Sequence, residues 1–217
     1  LARPFVTLKL ATSLDGKIAL ANGQSQWITS EASRLAGRQL RAYHDAIAVG
    51  ANTAVIDNPQ LTTRLPEQSN PIRVVFDTKL RLSEQSNLAL TAKAVPVWVF
   101  SEVTSGKPAN RLKEMGVKLF KVPIDLGLDI KNALNILTQN GVTSLLVEGG
   151  GTLAASFIRL GFVDKIEWFR APIILGGDGR NAIGDLKLND LNLAQRYSRV
   201  EINSIGDDIH ERYERIG

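Results

Sequence analysis

The sequence predicts an α/β protein with a mainly parallel central sheet, flanked by helices and finished by antiparallel strands at its C-terminal end. Three observations carry the prediction. Short runs of β-branched and apolar residues alternate along the chain with segments whose apolar residues recur at helical spacing. One such run, Ser144-Leu145-Leu146-Val147-Glu148, passes directly into Gly149-Gly150-Gly151-Thr152 and then a helical stretch, a junction at which open α/β sheets bind ligands. The last two β-rich runs are separated only by a short turn, and a terminal hairpin is the usual place for antiparallel strands in such a sheet.

Phe5 to Ala11 alternates as a first strand. Thr29 or Ser30 supplies an N-cap with Glu31 in the first turn, and Leu35, Ala36, Gln39, Leu40 and Tyr43 recur at helical spacing through His44. Ala46 to Gly50 is a short buried-strand run, and Asn52 to Asp57 gives one or two helical turns stopped by Asn58-Pro59. Residues 66–71 form a polar surface loop. Strands are expected at Ile72–Asp77 and Val95–Phe100, a helix near Pro108–Met115, and a strand at Val117–Val122. Asp129 caps a helix whose Ile130, Ala133, Leu134 and Leu137 share a face and which Gly141 closes. The strand Ser144–Glu148 and the helix Leu153–Leu160 follow. Strands at Lys165–Arg170, Tyr197–Asn203 and His210–Arg215 end the chain, the last two as a hairpin across Ser204–Asp208.

With 217 residues and no repeat, low-complexity tract or linker, the chain reads as one domain, 1–217. It contains no cysteine, which excludes disulfides, thiolate zinc sites, iron–sulfur clusters and cysteine nucleophiles. His44 and His210 share no metal-binding spacing, so no metal is expected, and no G-x-S-x-G elbow supports a hydrolase. The net charge is +4, but Arg34, Arg38 and Arg41 are interleaved with apolar positions and acids; a small polyanionic ligand suits this balance, and a nucleic-acid partner is not expected. No apolar run approaches the roughly 18–20 residues that span a bilayer, and the N-terminus lacks the apolar core of a signal peptide. A cytoplasmic location without membrane contact is therefore expected.

Among residues suited to chemistry, Gly149-Gly150-Gly151-Thr152-Leu153-Ala154 satisfies G-x-G-x-x-A; it reads as a pyrophosphate-binding turn or as tight strand–helix packing. Glu148 either points from the sheet edge to solvent or sits in a pocket. Lys9, between Leu8 and Leu10, either snorkels or faces a ligand. The Asp15-Gly16 turn and the loop Gly23-Gln24-Ser25-Gln26-Trp27 place polar groups and one large aromatic where binding residues concentrate, with Trp27 as a core plug the alternative. Arg64, in the turn-rich Asp57–Arg64 segment, and Arg41 are either solvated charges or a clamp for a phosphate, whose oxygens guanidinium groups bind bidentately.

In order along the chain, RPFVTLKLATSLDGKIA, GQSQWITS, VGANTAVIDNPQLTTR, VEGGGTLAASF and APIILGGDG resemble the pyrimidine reductase domain of riboflavin biosynthesis. That family acts on 5-amino-6-(5-phosphoribosylamino)uracil or its 2,5-diamino counterpart. The resemblance implies a dihydrofolate-reductase-like fold and an NADPH-dependent oxidoreductase, acting as a homodimer on a phosphoribosylaminopyrimidine. Many members carry a zinc deaminase-like domain in front of the reductase, and its His/Cys/Cys site has no counterpart here. By motif, the cofactor falls to Ala11, Trp27, Thr53, Asp57, Thr78, Gly150, Gly151, Thr152 and Leu153. The substrate falls to Ser25, Arg41, Leu61 and Arg64 at its phosphate end and to Lys9 and Glu148 at the pyrimidine, with Lys9, Asp57 and Glu148 as the catalytic candidates. Thr78-Lys79-Leu80-Arg81, just after a strand, would hold the extra phosphate of NADPH. The rival readings are a reductase of the same fold working on the diamino pyrimidine or a pteridine, and a non-catalytic nucleotide- or phosphosugar-binding protein.

Overall fold

The computed structural model describes residues 3–125 and 127–216. Its elements run β1 (Phe5–Thr12), β2 (Lys17–Ala19), α1 (Glu31–Ala42), β3 (Ala46–Gly50), α2 (Ala51–Ile56), β4 (Ile72–Phe76), α3 (Asn87–Leu90), β5 (Val97–Ser101), α4 (Lys107–Glu114), β6 (Lys118–Lys121), β7 (Ile124–Asp125) and β8 (Gly127–Leu128). They continue with α5 (Ile130–Gln139), β9 (Ser144–Val147), α6 (Gly151–Arg159), β10 (Lys165–Arg170), β11 (Arg180–Asn181), a 3-10 turn (Leu191–Leu193), β12 (Tyr197–Ile205) and β13 (Asp208–Arg215). None of these helices is long and apolar enough to cross a membrane. The chain divides into two compact units, one built from the first residues through Phe5 with Arg38–Leu146, the other from Val6–Gly37 with Val147–Gly217.

In the first unit, β3, β4, β5 and β6 pair in parallel, Ile47 beside Arg73, Val75 beside Val99 and Phe100 beside Phe120. Parallel strands covered on both faces need apolar residues on both, and β3 and β5 are buried almost end to end. Val75, Val97 and Val99 of the strands pack with Leu88, Ala109, Leu112 and Leu146 in one cluster. Each such fully buried aliphatic side chain contributes on the order of 2 kcal/mol of hydrophobic stabilisation. The Asp129 side chain accepts from Asn132 N at 2.9 Å, so the expected cap of α5 is in place. At its other end Val142 N reaches back to Leu137 O at 3.0 Å, the closure that Gly141 at φ +83° permits.

β5 begins two residues later than the apolar run suggests. Pro96 has no N–H to give a ladder, and the carbonyls of Val95 and Pro96 accept from the Arg73 side chain and the Arg73 amide. The short helix α3 carries no periodic apolar signal; Ser86 caps it by accepting from Ala89 N at 3.2 Å.

In the second unit, β10 lies between β1, parallel to it, and β13, antiparallel, and β12 pairs antiparallel with β13. The apolar alternation of Lys165–Arg170 thus belongs to an internal strand. The terminal hairpin is tighter than the sequence suggests, with strands running to Ile205 and from Asp208 around Gly206-Asp207. Buried Asp208 explains the extension: its carboxylate accepts from Ser30 N at 2.7 Å and Ser33 Oγ at 2.5 Å, joining the hairpin to the start of α1. Ser30 also accepts from Ser33 N, as an N-cap does.

Candidate active site

Six of the residues singled out from the sequence lie in the first unit. Arg41, in the last turn of α1, donates from Nη1 to Thr62 O at 2.9 Å, which brings it to the loop that carries Leu61 and Arg64. Arg64 is exposed, with φ +52°. Leu61 also has a left-handed backbone, φ +56°, and its side chain turns into the core at 3% exposure, so only its backbone faces the loop surface. Thr53 and Asp57 sit one helical turn apart at the end of α2, where Asp57 N donates to Thr53 O at 3.1 Å and the Asp57 residue is exposed.

Thr78 follows β4, half-buried, with its carbonyl accepting from Ser101 Oγ at 3.1 Å. Before it stands Asp77, a residue the sequence reading passed over as a strand end. Its carboxylate is buried and accepts from Leu82 N at 2.8 Å, which folds residues 78–82 into a turn. Burial pushes the Asp77 carboxyl above the usual carboxylate range, against the backbone N–H groups of Leu82 and Arg81 and the Arg81 charge. Within that turn Leu80 is buried and Arg81 is drawn toward Asp77 and to Asn52, its Nη2 at 2.8 Å from Oδ1.

The remaining candidates lie in the second unit. Lys9 and Ala11 are half-buried on one face of β1. Ser25 and Trp27 lie on the loop before α1. Trp27 is 66% exposed and carries the Arg34 guanidinium 4.4 Å above its ring, so it is a surface platform and not a core plug. Glu148 is half-buried just past β9.

The glycine turn leads from there into α6. Gly150 is the N-cap with φ +54°, a conformation costly for other residues, and no side chain caps the helix. Thr152 is exposed in the first turn and the Leu153 side chain is buried. Gly151 is a glycine for packing: a Cβ there would meet Asn181 O at 2.5 Å, and its own carbonyl accepts from Gly184 N at 2.8 Å. Gly151 is thus required by packing, while Gly150 leaves the N-terminus of α6 without a side-chain cap.

The SLDG and ILGGDG segments are joined by Asp15, which accepts from Leu175 N at 3.1 Å and Gly176 N at 2.8 Å. The Ser13 hydroxyl, then Leu175 N–H, hold its carboxyl down at about 2. That turn is a clasp between two loops.

The RibD C-terminal domain family model matches residues 4–210. The riboflavin biosynthesis protein RibD of Bacillus amyloliquefaciens is 41% identical over 209 residues, 95% of this chain and 56% of that protein. Among solved structures, RibD of Acinetobacter baumannii has a TM-score of 0.86 at 27% identity, covering 100% of this chain and 59% of that one. A diaminohydroxyphosphoribosylaminopyrimidine deaminase/5-amino-6-(5-phosphoribosylamino)uracil reductase of Thermotoga maritima has a TM-score of 0.83 at 30% identity, covering 99% of this chain and 57% of that one. The chain spans a little over half the length of these relatives. The expected fold, α/β and dihydrofolate-reductase-like with a largely parallel sheet and antiparallel C-terminal strands, is the fold observed. On the family match across nearly its whole length, the chain belongs to the RibD C-terminal domain family.

Proposed function

We propose that this protein, read as one reductase domain over residues 1–217, reduces the ribosyl group of 5-amino-6-(5-phosphoribosylamino)uracil at the expense of NADPH, giving the ribitylamino product. The observation that carries the reading is the junction at Glu148 and the glycine turn in a member of this family. A half-buried carboxylate stands beside a helix whose N-terminus no side chain caps.

That junction fits a dinucleotide. An uncapped N-terminus of a nine-residue helix presents N–H groups and positive potential to a pyrophosphate, with Gly150, Gly151, Thr152 and Leu153 lining it. Ala11, Trp27, Thr53 and Asp57 are assigned to the nicotinamide half and Thr78 to the adenosine half. When bound, the cofactor supplies a hydride for the former anomeric carbon of the opened sugar.

The protein's own groups bind, orient and move a proton. Arg41 and Arg64 neutralise the ribose phosphate dianion. Glu148, as a carboxylate, accepts from N–H groups of the pyrimidine. Asp57 exchanges a proton at the ring oxygen as the cyclic ribosylamine opens to the imine. Lys9 sets the choice of pyrimidine. An ammonium has three donors and no acceptor, so it pairs with a ring carbonyl and not with an exocyclic amino group. Facing the diamino compound it would leave two donors opposed, so the uracil is the substrate and deamination precedes reduction.

We place the enzyme in the cytoplasm as a homodimer, on the family resemblance; light scattering of the purified protein reads the mass directly. The activity is tested by adding the ribosylaminouracil phosphate to protein and NADPH. Loss of reduced-nicotinamide absorbance, one equivalent per substrate, supports the reading. Binding of both ligands without turnover would make the protein a nucleotide-binding module instead.

A further inference from the structure

Beside Lys9 of β1, a cluster on β10 and β13 has no part in the steps above. Register sets Lys9 beside Glu167, Glu167 beside Arg212 and Phe169 beside His210, so these side chains share one face of the strands. Phe169 is fully buried and its ring lies parallel to the His210 imidazole, with centroids 4.3 Å apart and 2° between the planes. Fully buried Glu167 holds that imidazole: its Oε2 is 2.6 Å from His210 Nε2, while Oε1 accepts from Lys165 Nζ at 2.9 Å and Arg212 Nε at 3.0 Å. Burial alone would push the Glu167 carboxyl up, but the bonds from His210 and Lys165 and the charges of Lys165 and Arg212 outweigh it and hold it down at about 2.

An ionised carboxylate only accepts, so His210 Nε2 carries a proton. The imidazole plane is thus fixed twice, by that bond and by the stack. Lys9 stands against the same ring, its Nζ 5.8 Å from the Phe169 centroid. On the helix side Gly37 of α1 leaves room for it: a Cβ there would lie 3.5 Å from Lys9 Cε and 3.6 Å from Nζ.

We propose that Phe169, held in plane by His210 and Glu167, is a positioning residue for the Lys9 ammonium and thereby for the choice of pyrimidine. The electron-rich ring face attracts the cation and gives a long, flexible side chain one preferred height above the strands. A Lys9 without that ring is not held opposite either group, so its bond to the carbonyl weakens and its clash with the amino group eases. The proposal rests on the placement of Lys9 at the pyrimidine.

The test uses Phe169→Leu, which keeps an apolar side chain and removes the ring face, and His210→Gln, which keeps an N–H donor for Glu167 and removes the stacked plane. His210 is the less buried of the two, so its variant retains the fold where the other strains it. The Lys9 side-chain resonances, assigned with Lys9→Arg, lose the ring-current displacement in Phe169→Leu and part of it in His210→Gln. The ratio of kcat/KM for the uracil over the diamino compound narrows about threefold or more in Phe169→Leu and less in His210→Gln, with KM for NADPH unchanged. A purely structural role lowers both efficiencies together and leaves the ratio where it was. A discriminating wild type whose ratio survives in both variants overturns the positioning role alone; a wild type that does not discriminate overturns the placement of Lys9 and this proposal with it.

Discussion

Replacing Arg73 with methionine destabilises the first unit by about 3 kcal/mol. Arg73 is the largest fully buried side chain among the described residues, and the four hydrogen bonds of its Nη groups go to neutral acceptors. Nη1 donates to Gln60 O at 3.1 Å and Thr91 Oγ1 at 2.8 Å; Nη2 donates to Thr91 O at 3.1 Å and Val95 O at 2.5 Å. Burial pushes the guanidinium down to about 10, so the site disfavours the charge that its bonds hold in place. Four charge-assisted bonds at the low end, about 1.5 kcal/mol each, are worth about 6 kcal/mol. Those values are net of desolvation; methionine loses the bonds and regains about 3 kcal/mol of apolar burial, and the difference is the predicted loss. It also frees the Gln60 carbonyl, which precedes the loop of Leu61 and Arg64, so KM for the phosphate substrate should rise more than KM for NADPH. Urea unfolding of wild type and variant at neutral pH measures the stability. A variant within about 1 kcal/mol of wild type would show that the buried cation and its bonds cancel, and would refute the reasoning.

The depressed Glu167 carboxyl contributes stability that is complete above the usual glutamate range, about pH 4.3, and is lost as pH falls toward about 2; it amounts to about 3 kcal/mol. Acid unfolding monitored by circular dichroism should be shallower for Glu167→Gln, and identical acid limbs would remove the effect. Gly151→Ala sets a Cβ 2.5 Å from Asn181 O and should cost about 1–3 kcal/mol, read as a drop in Tm; an unchanged Tm means the 181–184 segment yields freely. Arg41→Ala and Arg64→Ala each weaken substrate binding by about 2–3 kcal/mol with NADPH binding intact, and unchanged Michaelis constants for both would make them ordinary surface charges.

Most of the fold was legible because its signals are local. Ala46–Gly50 and Lys165–Arg170 are strands at the residues their apolar pattern marks, and Asp129 caps α5 within one turn of itself. What remained hidden depends on partners distant in sequence. Glu167 looks like a stray charge in an apolar strand until the β10–β13 register brings His210 and Arg212 to it. Gly151 owes its identity to Asn181, 30 residues on, and β2 exists only because β11 returns to pair with it. Leu61 turns inward through a left-handed backbone angle that no apolar pattern encodes. Motif reading named the site candidates; Asp77 and Phe169 came only with burial and contact.

In the proposed reaction, a donor-only ammonium at Lys9 makes the deaminated pyrimidine the substrate of an NADPH-dependent reduction. Steady-state kcat/KM for the uracil and diamino compounds, in wild type and Lys9→Asn, tests it most directly. The predicted result is a preference of about tenfold or more for the uracil in wild type. Asparagine offers both a donor and an acceptor, so in Lys9→Asn the preference narrows and activity on the uracil falls. A wild type that prefers the diamino compound, or a Lys9→Asn enzyme with undiminished discrimination, would contradict it.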